Sequence, residues 1–182
     1  MKKKFVFIGS LIVLSLLCYP NNEVKENVMV ADITPKIEVE EVKYEESKAF
    51  SYNYKDEIPL TYIEQEYLFR ACDEFNIDYS LALGMIDVET KFQNIKGDKG
   101  RSLGYMQIQP RWHKKRMEEI GAKDLMIPYD NFRTGLHFMN ELLSKHNLVS
   151  SLTYYNQGRY VTSKYATKVI ERMNYWKGVL NS

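Results

Sequence analysis

From about Asp56 onward the chain reads as one helical pattern after another with only short loops between, which confines it to a compact, mostly α domain of about 125 residues. Thr61 starts a run in which Tyr62, Tyr67, Leu68, Ala71, Cys72 and Phe75 form an apolar face, closing near Asn76. Ser80–Val88 is a second and much more apolar helix. Pro110–Ile120 is a third, ended by Gly121. Pro128–Asp130 is a start signal with Asp130 as the expected cap, and Phe132, Leu136, Met139, Leu142 and Leu143 supply the buried stripe that follows. Leu148–Tyr155 and Thr162–Val179 complete the helices, and only the Gly97–Gln109 region can pair as a small β-hairpin.

Two segments precede this domain. Met1–Lys4 is basic and Phe5–Leu17 is apolar, the pattern of an export signal. At about 1.5 Å per residue the apolar run covers roughly 20 Å, short of a bilayer core of about 30 Å. Residues 1–19 are therefore expected to be a signal peptide or short membrane segment, and attachment to a membrane through them stays open. Cys18 stands where a lipidated cysteine would, but Leu17 is not the small residue such processing resembles. Ala31, with Met29 two residues ahead, is a distant cleavage candidate. Residues 20–55 are rich in Glu, Lys, Val and Asn, with Pro20 and Pro35. They hold too little apolar surface for a core and read as a polar, disordered linker, with a transient charged helix over 38–48.

Charge and cysteine usage narrow the function. A formal net charge of +1 leaves no electrostatic footprint for nucleic acid. With Cys18 beside the signal, Cys72 has no partner for a structural disulfide and reads as a small buried apolar residue. His113, His137 and His146 show no metal-ligand spacing, so neither metal nor cofactor is expected.

The chemistry begins at the end of the second helix. Residues three and four apart share a helix face, so Glu89 falls in line with Leu81, Ala82, Met85 and Ile86, while Asp87 groups with Ser80 and Gly84. Apolar neighbours and the negative end of the helix both disfavour the charged carboxylate and raise its pKa. That suits a general acid working near neutral pH. On this helix alone, a glutamate at a frayed helix end pointing to water is the favoured reading.

Flanking motifs change the balance. Glu89-Thr90-Lys91-Phe92 is followed by Ser102-Leu103-Gly104-Tyr105-Met106-Gln107-Ile108-Gln109-Pro110, then Tyr154-Tyr155-Asn156-Gln157-Gly158, then Tyr165-Ala166 with Lys168-Val169. In this order and spacing the sequence resembles the soluble lytic transglycosylase family, relatives of goose-type lysozyme. That family carries a catalytic Glu followed by Ser-x-Phe, then Gly-Leu-Met-Gln, Ala-Tyr-Asn-x-Gly and a downstream Tyr-Val. Asp130-Asn131-Phe132-Arg133-Thr134-Gly135 is similar to a further family helix, shortened at its start. The resemblance runs from about Thr61 to Trp176. Thr90 departs from the usual Ser but keeps a hydroxyl, and Tyr154 replaces a small Ala.

The resemblance implies a lysozyme-like catalytic domain over residues 56–182 that acts on the glycan strands of peptidoglycan outside the cytoplasm, with Glu89 as its acid/base. It implies substrate contacts from Thr90, Ser102, Gly104, Tyr105, Met106, Gln107, Tyr155 and Asn156, with the Tyr165 hydroxyl near Glu89. The 14 tyrosines suit saccharide binding, since aromatic faces pack on apolar sugar faces. Ordinary glycosidases use two carboxylates, but a single acid suffices where the substrate's acetamido group assists. The implied product is a 1,6-anhydromuramoyl end. A hydrolytic lysozyme using Asp98 to position water, and a non-catalytic wall-binding module, are the rival readings.

Overall fold

The structure, a computed structural model, describes residues 52–160 and 164–182. The expected export signal, Cys18, Ala31, the charged helix over 38–48, the linker up to residue 51 and the Thr162 helix start lie outside the described residues. Six α-helices and one small antiparallel hairpin follow in chain order: α1 (Tyr62–Glu74), α2 (Tyr79–Thr90), β1 (Lys96–Gly97), β2 (Ser102–Leu103), α3 (Pro110–Ile120), α4 (Pro128–Leu143), α5 (Leu148–Gln157) and α6 (Lys164–Leu180). The mostly helical class and the hairpin between Gly97 and Gln109 are as the sequence leads one to expect.

Local chemistry sets most boundaries. Thr61 and Glu64 form a capping box, each side chain bonding the other's backbone N–H at the start of α1. Asp78 caps α2 by accepting from the Leu81 N–H at 3.1 Å. Pro110 and Pro128 stand in the first turns of α3 and α4, where a missing N–H costs nothing. Asn147 caps α5, accepting from the Ser150 N–H at 2.9 Å. Gly121 (φ 70°) ends α3 in the left-handed conformation.

Two expectations need correction. Asp130 does not cap α4: it lies inside the first turn, and its carboxylate accepts the N–H groups of Lys123 and Asp124 at 2.7 and 3.0 Å. It ties down the loop ahead of the helix instead. Tyr62, expected in the buried face of α1, is 54% exposed; its ring meets those of Tyr52 and Tyr54 on the outside. Its place inside is taken by Gln65, fully buried. Gln65 Nε2 donates to the carbonyls of Lys55, Ile58 and Leu60 at 3.0, 3.2 and 2.9 Å, and its Oε1 accepts from the Tyr52 hydroxyl. The segment entering α1 has only two turn bonds of its own, Ile58 N–H to the Lys55 carbonyl and Leu60 N–H to the Ile58 carbonyl, and this one amide ties its carbonyls to α1. Tyr52 packs on α1 and α2 as well, its ring meeting Phe69 and Tyr79.

α2 is the central element. Every residue from Ser80 to Asp87 is buried, so it has no solvent face to spare. Gly84 allows α6 to approach, because a Cβ there would lie 2.8 Å from Met173 N and 2.9 Å from Val169 O. Cys72 is a free, buried cysteine whose thiol pKa burial pushes well up, consistent with an inert core residue. Among the described residues no helix is long and apolar enough to cross a membrane.

Candidate active site

Glu89 leaves the last turn of α2 and enters a cleft of about 850 Å³. It is lined by Asp98 and Ser102 of the hairpin region, by Gln107, Ile108 and Gln109, by the α3 side chains Trp112, His113 and Arg116, by Phe138 of α4 and by Tyr154–Gly158 of α5 and its end. A separate hollow of about 430 Å³ on α3, around Arg111 and Met117, does not include Glu89.

The end of α2 is fixed by its other carboxylate. Asp87, buried on the far face, accepts from Lys91 Nζ at 2.8 Å, Arg172 Nε at 2.5 Å and Trp176 Nε1 at 3.1 Å. Burial alone would raise its pKa, but these three donors hold it below the ordinary carboxylate value. Among the described residues no cation pairs with Glu89. Burial pushes its carboxyl up to about 7, and only the Tyr165 hydroxyl, within hydrogen-bonding reach, works against that. Two acids two residues apart therefore shift in opposite directions because one face of α2 meets cations and the other a desolvated cleft.

Tyr155 and Tyr165, from α5 and α6, both feel the charge of Glu89, which together with burial raises their pKa well above 10. The Tyr155 hydroxyl donates to the Met106 carbonyl at 3.0 Å, and its ring stacks on Phe138 at 5.3 Å. Asn156 is exposed on the same cleft wall, its Oδ1 accepting from Gln157. Ser102 lines the cleft from a buried position, bonded to Asp98 and to Gln109 Nε2 at 3.2 Å. The structure thus brings Glu89, Ser102, Gln107, Tyr155, Asn156 and Tyr165 together.

Other expected contacts turn inward. Thr90 is buried, and its hydroxyl is spent on the carbonyls of Tyr105 and Ile86 at 3.0 and 3.3 Å. Tyr105 points away from the cleft; its hydroxyl donates to Glu64 at 2.7 Å and its ring lies on Phe132. Met106 is fully buried against Gly135, where a Cβ would stand 2.5 Å from its sulfur. Gly104 is a packing residue: at φ 73°, an added Cβ would meet Asn131 Nδ2 at 2.2 Å. Gln107 lines the cleft, yet its amide nitrogen donates to the carbonyls of Gly104 and Ile95 at 2.8 and 3.2 Å. These residues hold the loop that forms the cleft floor. Asn131 anchors it, accepting from Met106 N–H at 2.9 Å and donating to Leu103 and Leu125 carbonyls at 2.9 and 3.0 Å.

Motif reading missed His113, Arg116 and Phe138 altogether. Their only sequence signal is an i, i+3 pair on α3, which does not show that α4 completes the cluster. Among the described residues no group of His, Cys, Asp or Glu could hold a metal ion.

The model of the transglycosylase SLT domain family matches residues 66–174. Among solved structures the chain is similar to an inactive mutant of the lytic transglycosylase Slt from Pseudomonas aeruginosa, with 20% identity and a TM-score of 0.49. That likeness covers 68% of this chain and 23% of the other, so the chain spans about a quarter of that protein's length. No curated protein matches.

Proposed function

Because the chain belongs to the transglycosylase SLT family, we propose that it is a peptidoglycan lytic transglycosylase in which Glu89 is the single acid/base. One observation carries this reading: Glu89 lines an 850 Å³ cleft and burial pushes its carboxyl up to about 7. Such a group is part protonated at neutral pH and can both give and take a proton within one cycle.

In the proposed reaction Glu89 protonates the oxygen linking muramic acid to the departing N-acetylglucosamine, and the C1–O bond breaks. The acetamido group of the muramoyl residue assists at C1. Glu89, now a carboxylate, takes the proton of the muramoyl C6 hydroxyl as that oxygen bonds to C1. The enzyme is regenerated, and the product is a 1,6-anhydromuramoyl end with no water consumed. Tyr165 stabilises the carboxylate in mid-cycle, while Tyr155, Asn156, Ser102 and Gln107 line the path of the strand. The same reading places the protein outside the cytoplasm, exported or tethered through its N-terminal segment.

Purified peptidoglycan digested with the full chain, alongside a Glu89→Gln control, tests this by mass spectrometry of the fragments. Fragments one water lighter than reducing-end products, absent with the control, are expected. The alternative is a lysozyme. Asp98 lines the same cleft, but its carboxylate is engaged by Gln109 Nε2 at 3.0 Å and by Ser102, which disfavours it as a base for water. Reducing ends that disappear in Asp98→Asn would establish that alternative.

A further inference from the structure

Arg116 reaches from α3 into the cleft with only 14% of its side chain exposed, and each arm of its guanidinium is engaged. Nη2 pairs with Glu141 at 2.5 Å, Nη1 meets His137 Nδ1 at 2.9 Å, and Nε donates to His113 Nδ1 at 3.4 Å. The guanidinium also lies 4.9 Å over the Phe138 ring. Arginine carries donors only and keeps its proton. A histidine nitrogen facing it must therefore accept, and a neutral imidazole that accepts at Nδ1 carries its proton on Nε2. Burial and the Arg116 charge bring the His113 pKa down to about 4, so the ring is neutral at working pH. His113 lines the cleft with its ring 4.7 Å from Phe138, and with Nδ1 facing Arg116 its remaining polar group is the N–H at Nε2.

We propose that His113 is a substrate-binding residue whose Nε2–H donates to an amide carbonyl oxygen of the bound strand, with Arg116 as the positioning residue that sets its proton. This rests on the cleft being a peptidoglycan site. A neutral donor suits an uncharged acceptor, and peptidoglycan offers such acceptors in its acetamido groups and in the amides of its stem peptides. It also suits Glu89: a cationic imidazole in the same cleft would favour the ionised carboxylate and lower the pKa that acid catalysis needs. Arg116 does not have that effect to the same degree, because Glu141 offsets its charge.

The test uses the full chain carrying Glu89→Gln, so that strands bind without being cut. His113→Phe keeps a ring and removes the donor; His113→Gln restores a side-chain N–H. Binding to glycan strands is expected to weaken about tenfold in the Phe variant and to recover in the Gln variant, the scale of one lost hydrogen bond to a buried donor. Weakening on strands with and without stem peptides assigns an acetamido carbonyl; weakening only on peptide-bearing strands assigns a stem amide. Equal binding by the Phe variant overturns the proposal. Two measurements need no change at His113. Long-range proton–nitrogen spectra should show the Nε2–H tautomer, becoming mixed in Arg116→Met, and added strands should shift that N–H resonance. An Nδ1–H tautomer, or an unmoved resonance on binding, overturns it. If the parent binds no strand at all, the peptidoglycan reading itself fails and this proposal with it.

Discussion

Arg172 on α6 and Asp87 on α2 form a 2.5 Å ion pair, and Trp176 adds its indole N–H to the same carboxylate oxygen. Because Asp87 lies two residues before Glu89, locking one carboxylate against α6 fixes the rotation that turns the other toward the cleft. Arg172→Met should leave Asp87 short of a donor and cost about 1–3 kcal/mol, read from urea unfolding. It should also lower kcat more than it raises KM. A variant with unchanged kcat would show that the pair holds the fold without orienting Glu89.

The raised pKa of Glu89 has a direct consequence for rate. The acid form is required at the first step, so kcat/KM should fall above about pH 7, approaching tenfold per further pH unit. A pH profile of cleavage checks this. A limb falling instead between pH 4 and 5 would mean the carboxyl is not desolvated in solution.

The same shift has a cost in stability. Glu89 holds its proton up to about 7 in the folded chain against an ordinary 4.5. The folded state therefore binds the proton more tightly than the unfolded one. Stability is greatest below about 4.5, declines as pH rises through the window to about 7, and levels off above it. The loss is at most roughly 3 kcal/mol. Glu89→Gln, which cannot ionise, should be more stable than the parent at pH 8 and equal to it near pH 4, with cleavage at least about a hundredfold lower. Thermal melts at the two pH values would check the first part.

Asn131 carries the cleft floor through three backbone bonds, to Leu103, Met106 and Leu125. Asn131→Ala orphans these groups in the interior and should cost at least about 2 kcal/mol. Cleavage should weaken well before the fold is lost, because the loop behind Tyr155 loosens first. Hydrogen exchange should show lost protection centred on Met106; a uniform loss across the domain would contradict a local role.

Gly84 sits where α2 and α6 touch. Gly84→Ala places a methyl 2.8 Å from Met173 N and 2.9 Å from Val169 O, and neither backbone atom can move without its helix. A loss of about 1–3 kcal/mol is expected, although alanine favours helices over glycine by about 1 kcal/mol. A stabilised variant in chemical denaturation would mean the helices can part more freely than their spacing implies.

Most of the helices were legible because their ends carry chemistry. Thr61, Pro110 with Gly121, and Pro128 announce starts and stops in local sequence, while the caps Asp78 and Asn147 stand just ahead of the Ser80 and Leu148 starts that the pattern suggests. Asp130 misled because an acid in a first turn and an acid at a cap look alike until the preceding loop is placed. At the candidate site, helical spacing conveyed that Glu89 and Asp87 face different ways. It could not convey what α6 and α3 bring to each. The motif around Met106 pointed to a loop beside the cleft but not to which side chains it exposes. Left-handed residues at Gly104 and Gln107 (φ 73° and 50°) break any simple alternation, so Tyr105 and Met106 turn inward. His113 and Arg116 depend on His137 and Glu141 of another helix, a relation with no signature in a single sequence.

The Gln65 clasp bears on how the domain carries load. Within the described residues, a pull on Tyr52 passes through its contact with Gln65 and the carbonyls that this amide holds into α1. No residue of that segment or of α1 lines the cleft. Tension entering there is therefore taken up first by an element that contributes no side chain to the cleft, and it reaches the loop beside the cleft only through contacts such as the Tyr105 hydroxyl on Glu64 of α1.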